Sequence, residues 1–120
     1  MATGRFLLSI VFGITIKNMK TQIIYLSTGN TQLKGRYRNG YHVKIICDAT
    51  NGSFTINLPD CGNNDNTHFS FIRKDEDRTS FVYLVPELKK MQKIKNEDIQ
   101  KLRVGSTATL QTDGKNWYTE

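Results

Sequence analysis

From Thr21 onward the apolar residues of this chain recur mostly at every second position, in short blocks separated by turn-forming residues. That period is the signature of strands with one buried face. Gln22–Leu26 reads as a strand ended by Ser27-Thr28-Gly29-Asn30, and a second turn falls at Arg38-Asn39-Gly40. The strand from Tyr41 to Asp48 sets Val43, Ile45 and Cys47 on one face. Asn51-Gly52, the strongest short hairpin dipeptide, should turn the chain straight into the next strand. There Phe54, Ile56 and Leu58 alternate with Ser53, Thr55 and Asn57 until Pro59 ends the run.

A polar loop rich in Asn, Asp and Gly then leads to His68–Arg73, and an acidic turn at Asp75–Asp77 leads to Ser80–Val85. These two strands are expected to be neighbours. The apolar residues on both faces of the second imply that both of its sides are covered. At the C-terminus Asp113-Gly114 provides a positive-φ hairpin turn, with Ala108 and Leu110 on one face and Trp117 returning to the core or to a subunit interface.

Between Pro86 and Val104 two signals conflict. Leu88, Met91, Ile94 (or Ile99) and Leu102, set among strong helix formers, suit one or two helical turns. The surrounding β pattern suits two short strands around Lys95-Asn96 instead. The N-terminal run from Phe6 to Ile16, flanked by Arg5 and Lys17, is different again. It is too short to span a bilayer as a helix, which takes about 20 residues. Its length matches the core of a signal peptide, but no small-x-small cleavage site follows. It reads as an apolar strand or arm kept in the product and lying against another chain, with Phe6, Leu7, Leu8, Ile10, Val11 and Phe12 as anchoring residues. Met19-Lys20 offers an alternative start. The division is thus an arm at residues 1–20 and one β domain at 21–120.

A chain of 120 residues makes one domain, and a domain of that size buries only about two-thirds of its unfolded surface. Its 38% hydrophobic content is below the usual level of roughly 45–50%, so burial against partner subunits is expected to supplement the core. Cys47 lies in an apolar strand and Cys61 in a polar loop; both read as free thiols, and Cys47 as a small buried hydrophobe. No Cys/His cluster has metal-ligand spacing, and no cofactor is expected. Asn51-Gly52-Ser53 matches a glycosylation acceptor, although the turn role of Asn-Gly takes precedence.

The net charge of +6 falls in two clusters. Lys34, Arg36 and Arg38 interleave with Tyr37 and Tyr41, while Lys89, Lys90, Lys93, Lys95, Lys101 and Arg103 lie near the C-terminus. Cations beside aromatic rings can clamp phosphates and stack bases. The plainer reading is a solvated face or a contact to an acidic protein, so nucleic acid is not the expected partner, and neither is a membrane. Tyr37, Tyr41 and Trp117 could alternatively stack a sugar in a shallow groove. No carboxylate pair, Ser/Cys-His set or phosphate-binding Gly loop stands at usable spacing, which argues against an enzyme.

The ordered set "ATNGSFTINLPD", a polar loop, "FSFIRKD", an apolar strand, Ile94 with Leu102, and "GSTATLQTDGKNWY" resembles a β-module of bacteriophage tail-fibre, head-fibre and appendage proteins and of similar proteins of other large DNA viruses. The resemblance covers roughly Tyr41 to Tyr118. It departs at Lys95–Asp98, where the family usually has a short Asp-Gly turn after the Ile. It implies a non-enzymatic virion component, commonly a homotrimer, that docks on other capsid or fibre proteins. The fold expected is all-β, a small antiparallel, jelly-roll-like β-sandwich with an apolar N-terminal strand or arm.

Overall fold

A computed structural model describes residues 18–120 other than Asp65. The N-terminal anchoring residues Phe6, Leu7, Leu8, Ile10, Val11 and Phe12 lie outside the described residues. The rest is all-β. Eight strands form in order: β1 (Thr21–Ser27), β2 (His42–Asp48), β3 (Phe54–Asn57), β4 (His68–Arg73), β5 (Val82–Val85), β6 (Gln100–Leu102), β7 (Thr107–Thr112) and β8 (Trp117–Thr119). They make two sheets, a five-stranded one ordered β1-β2-β4-β7-β8 and a three-stranded one ordered β3-β5-β6.

The pairing corrects the antiparallel expectation for the first two-thirds of the chain. β1 with β2, β2 with β4, and β3 with β5 are all parallel; only the pairs formed by β6, β7 and β8 are antiparallel. The chain passes from the large sheet to the small one and back, so β4 lies beside β2 with His42 opposite His68, and β5 lies beside β3 with Phe54 opposite Val82. Two successive turns of a flat coil stack on each other.

Neither of the expected local neighbours therefore pairs. Both hydrogen-bonding edges of β2 are occupied, by β1 and β4, so β3 has no edge to join. Asn51-Gly52 forms a turn all the same, with Gly52 N–H donating to the Ala49 carbonyl at 3.1 Å and Gly52 at φ +129°. It serves as a corner between sheets. β4 is likewise flanked by β2 and β7, which places β5 in the other sheet.

Alternation does survive. Val43, Ile45 and Cys47 are buried on one face of β2, and Phe54, Ile56 and Leu58 are buried around exposed Thr55 and Asn57. Inward residues of both sheets join one core cluster. Phe69 is at its centre, with Tyr37 edge-on at 5.0 Å, Trp117 edge-on at 5.5 Å and Phe71 stacked at 6.2 Å. On the outer side of β5, Tyr83 and Val85 are half-buried. Phe81 lies 6.2 Å from the Tyr83 ring and is capped by the Lys101 ammonium at 4.3 Å.

The C-terminal hairpin forms as read. Gly114 sits at φ +93°, Asp113 Oδ1 accepts the N–H groups of Lys115 (2.8 Å) and Asn116 (2.9 Å), and Thr112 pairs with Trp117. Between Pro86 and Val104 each signal is realised in part. One 3₁₀ turn, Leu88–Lys90, ends at Met91 with φ +58°. Leu88 and Met91 are 51% and 80% exposed, so the helical spacing finds no surface to cover and does not propagate. Lys95 and Asn96, both at positive φ, then close a tight turn bridged from Ile94 to Glu97, and Leu102 follows in β6. Ile94 and Leu102 are both buried.

Candidate assembly surface

The sites named from sequence fall into three environments. Trp117 is 0% exposed, so it packs in the core, and the alternative of a solvent-facing ring stacking a sugar does not hold. Tyr37 and Tyr41 are partly buried and packed against the core cluster. Burial raises the Tyr37 hydroxyl pKa above its ordinary value, with a hydrogen bond from Asn64 acting the other way. The cations of the same loop are engaged locally: Lys34 pairs with Glu87 at 3.3 Å, Arg36 reaches Asn30 Oδ1 (3.2 Å) and the Gln32 carbonyl (3.0 Å), and Arg38 lies over the Tyr41 ring at 5.8 Å. In the second cluster Lys90 pairs with Asp60 and Lys93 with Asp98. The first cluster is engaged in short-range contacts throughout, and the second at Lys90, Lys93 and Lys101.

Asp60 also explains the Leu58-Pro59-Asp60 run. Its carboxylate is held well below the ordinary range by the Lys90 ammonium, the Gly62 N–H and the Gln92 amide, and it caps the 3₁₀ turn Cys61–Asn63. Both cysteines are free and buried. Burial pushes the Cys47 thiol up to about 12 and raises Cys61 as well, so neither is poised as a nucleophile.

Sequence reading missed Arg73. It follows Phe69 and Phe71 at a period of two and so points inward, where it is 3% exposed. Its guanidinium makes a bidentate pair with Asp75 (3.0 and 2.9 Å) and donates to the carbonyls of Asp77 (2.7 Å), Ser80 (2.8 Å) and Leu102 (3.1 Å). Asp75 in turn accepts the N–H groups of Ala49 (2.8 Å) and Asp77 (3.0 Å). Every contact is internal. The pair joins the corner after β2, the loop between β4 and β5, and β6.

A groove of about 230 Å³ runs between Thr31–Lys34, Asn57–Leu58 and Pro86–Glu87. It has no aromatic wall and is smaller than the roughly 300–1,000 Å³ of common ligand pockets. No group of three or more His, Cys, Asp or Glu among the described residues is placed to hold a metal, and no described helix is long and apolar enough to cross a membrane.

The open surface is the outer face of the five-stranded sheet at β1. Ile23 and Tyr25 are 55% and 66% exposed. The register extends Tyr25 into a row with Ile46 and Ile72, both half-buried, and then Thr107. The far end of the face is polar: His42 Nε2 lies 2.7 Å from Ser70 Oγ, which lies 2.9 Å from Thr109 Oγ1, and His68 Nδ1 meets Glu120 at 2.7 Å. Burial and nearby Lys44 lower the His42 pKa, favouring the neutral ring.

The comparisons give no name to this surface. No family model matches the chain, and no curated protein or solved structure matches it.

The backbone of β1 carries the second half of the feature. His42 N–H donates to the Lys20 carbonyl at 2.8 Å, and parallel pairing then turns the backbone of Gln22, Ile24 and Leu26 toward β2. The N–H and C=O groups of Thr21, Ile23 and Tyr25 face away from it. Among the described residues no strand pairs there. The opposite end of the sheet is different, because Trp117 N–H donates to Lys93 O (2.8 Å) and Lys95 N–H donates to Trp117 O (2.9 Å), which covers β8 at Trp117. One edge is partly covered and the other is presented.

Proposed function

We propose that this chain is a non-enzymatic structural component of a virus particle, a capsid-associated, decoration or fibre element that assembles with itself and docks on neighbouring coat or fibre proteins. The observation that carries this reading is the β1 surface, where a backbone edge unpaired among the described residues and the exposed side chains of Ile23 and Tyr25 coincide. A long unpaired edge with apolar neighbours invites further strand pairing unless something covers it. On the small sheet the edge strands β3 and β6 are short, four and three residues, and Lys101 covers Phe81.

The resemblance of Tyr41–Tyr118 to the phage fibre and appendage module supports the same conclusion and favours a homotrimer. In this reading the two sheets pack as a sandwich around their shared core, and the protein acts in the virion. A glycan-binding tip is less well supported, because Trp117 is buried and Tyr37 lies against Phe69. Nucleic-acid binding is weakened by the local pairing of Lys34, Lys90 and Lys93.

The test is the solution mass of the 13.7 kDa chain by light scattering at low and high salt. An apolar interface gives a trimer that salt does not dissociate. The double variant Ile23→Lys/Tyr25→Lys should be monomeric while its unfolding midpoint stays close to wild type, since exposed substitutions usually change stability by about 0.5 kcal/mol or less. A monomeric wild type at every concentration would overturn the proposal.

A further inference from the structure

The geometry points to β1 as a strand-acceptor site whose occupant is the segment Ser9–Ile16 of a neighbouring copy of this chain. This inference rests on the self-assembly reading and gives it a contact. The acceptor side is defined by the described residues: Thr21, Ile23 and Tyr25 present three N–H and three C=O groups along one edge, and their side chains project onto the outer face, Tyr25 in the row of Ile46 and Ile72, Ile23 beside Lys44 and Thr21 beside His42. Pairing of an extended segment to such an edge draws on main-chain hydrogen bonds for affinity and on alternate side chains for register.

The donor side is defined by the sequence. Ile10, Phe12, Ile14 and Ile16 alternate with Ser9, Val11, Gly13 and Thr15, so an extended Ser9–Ile16 would carry four large apolar side chains on one face and smaller ones on the other. Eight extended residues reach about 26 Å, more than the five-residue stretch from Thr21 to Tyr25 requires. With the large residues on the outer face, the donated strand would continue the row Tyr25–Ile46–Ile72 and cover it.

The connection to β1 favours donation between copies. Lys20 is already in register with β2 through its carbonyl, and the Met19 side chain is buried at 9% exposure. Four residues, Lys17–Lys20, separate Ile16 from Thr21, so folding back onto its own edge would have to reverse the chain within them while Met19 stays buried and Lys20 stays bonded to His42. Donation to the next copy frees the segment from that constraint. Each subunit then gives one strand and receives one, a heterologous contact that closes into a ring when the rotation permits.

The experiment is disulfide cross-linking of the full chain with one new cysteine at Ile23 and a second at Ile10, Phe12 or Ile14, in three separate variants. Cys47 and Cys61 are both buried and can stay in place. Mild oxidation should link subunits into dimers and trimers on a non-reducing gel in at least one of the three, and the link should disappear when Val11→Pro/Gly13→Pro is added to stop that segment pairing as a strand. Cross-linked monomers alone would overturn the proposal by showing that each arm closes its own edge. An intact trimer without any cross-link would also overturn it, while leaving the self-assembly reading standing. Loss of the trimer itself, read by light scattering on the uncross-linked wild type, is the separate outcome that removes the self-assembly reading.

Discussion

Arg73→Leu should destabilise the domain by about 3–5 kcal/mol, the range seen when one partner of a buried ion pair is removed. That is a large share of the 5–15 kcal/mol or so that holds a typical domain folded. The reason lies in what is left behind. Asp75, with its side chain 0% exposed, would keep its charge without the guanidinium, and the carbonyls of Asp77, Ser80 and Leu102 would each lose a donor. Denaturant unfolding followed by tryptophan fluorescence reads the loss through Trp117. A shift below about 1 kcal/mol would show that the network contributes little. The double variant Arg73→Leu/Asp75→Leu, which removes both charges, should recover part of the loss.

The same network sets an acid limit. Burial alone would raise the Asp75 pKa, but hydrogen bonds from Arg73, the Ala49 N–H and the Asp77 N–H outweigh it and bring the carboxyl down to about 2. A carboxylate whose folded pKa lies below its unfolded value, about 3.9, contributes stability that is fully present above that unfolded value. The contribution fades as pH falls from about 4 toward 2. Asp75→Asn should flatten the part of the stability profile that this residue supplies, and an unchanged profile in that interval would contradict the assignment.

Phe69→Ala should cost a comparable amount, about 3–5 kcal/mol. Phe69 is 0% exposed and meets Tyr37, Phe71 and Trp117, so truncation leaves a cavity facing three rings at once. Tyr37 belongs to the loop between β1 and β2 and Trp117 to the last strand, so the variant uncouples distant parts of the chain as well as losing apolar area. Thermal unfolding by near-ultraviolet circular dichroism should show a lowered midpoint and a weakened aromatic signal. A midpoint within a few degrees of wild type would mean that the core can repack around the gap.

Much of the fold is legible in the chain because a strand with one buried face writes its period directly into the sequence. Alternation alone places Val43, Ile45 and Cys47 on one face of their strand, and Phe54, Ile56 and Leu58 on one face of theirs, and all six are buried. Asp113-Gly114 was read as a hairpin and forms one, since both strands it joins have a free edge to share. Asn51-Gly52 carries an equally strong turn signal and forms no hairpin. What differs is the occupancy of the edges of β2, and that depends on β1 and β4, which lie far off in sequence. Local chemistry specifies a turn, whereas strand order is a property of the whole chain.

The site was legible unevenly for similar reasons. Arg36, Tyr37 and Arg38 attracted attention as charge beside aromatic rings, yet Tyr37 is drawn inward by Phe69, and Arg36 by local acceptors. Arg73 could have been found, because it continues the inward series Phe69, Phe71. Its partner Asp75 lies two residues beyond, and only the fold shows that Ala49 and Leu102 complete the network. The exposed pair Ile23 and Tyr25 was hidden in a strand that looked apolar on both faces. Which face is covered is decided by the core, and the other face is left exposed.

The central claim is that another copy covers the edge of β1, and amide hydrogen exchange at Thr21, Ile23 and Tyr25 tests it most directly. Measured on the full chain over a range of protein concentrations, exchange at these three amides should slow as association proceeds, while Ile24 and Leu26, already paired with β2, should be protected throughout. Exchange at Thr21, Ile23 and Tyr25 that stays fast, or that is slow to the same extent at every concentration while the protein is monomeric, would contradict it.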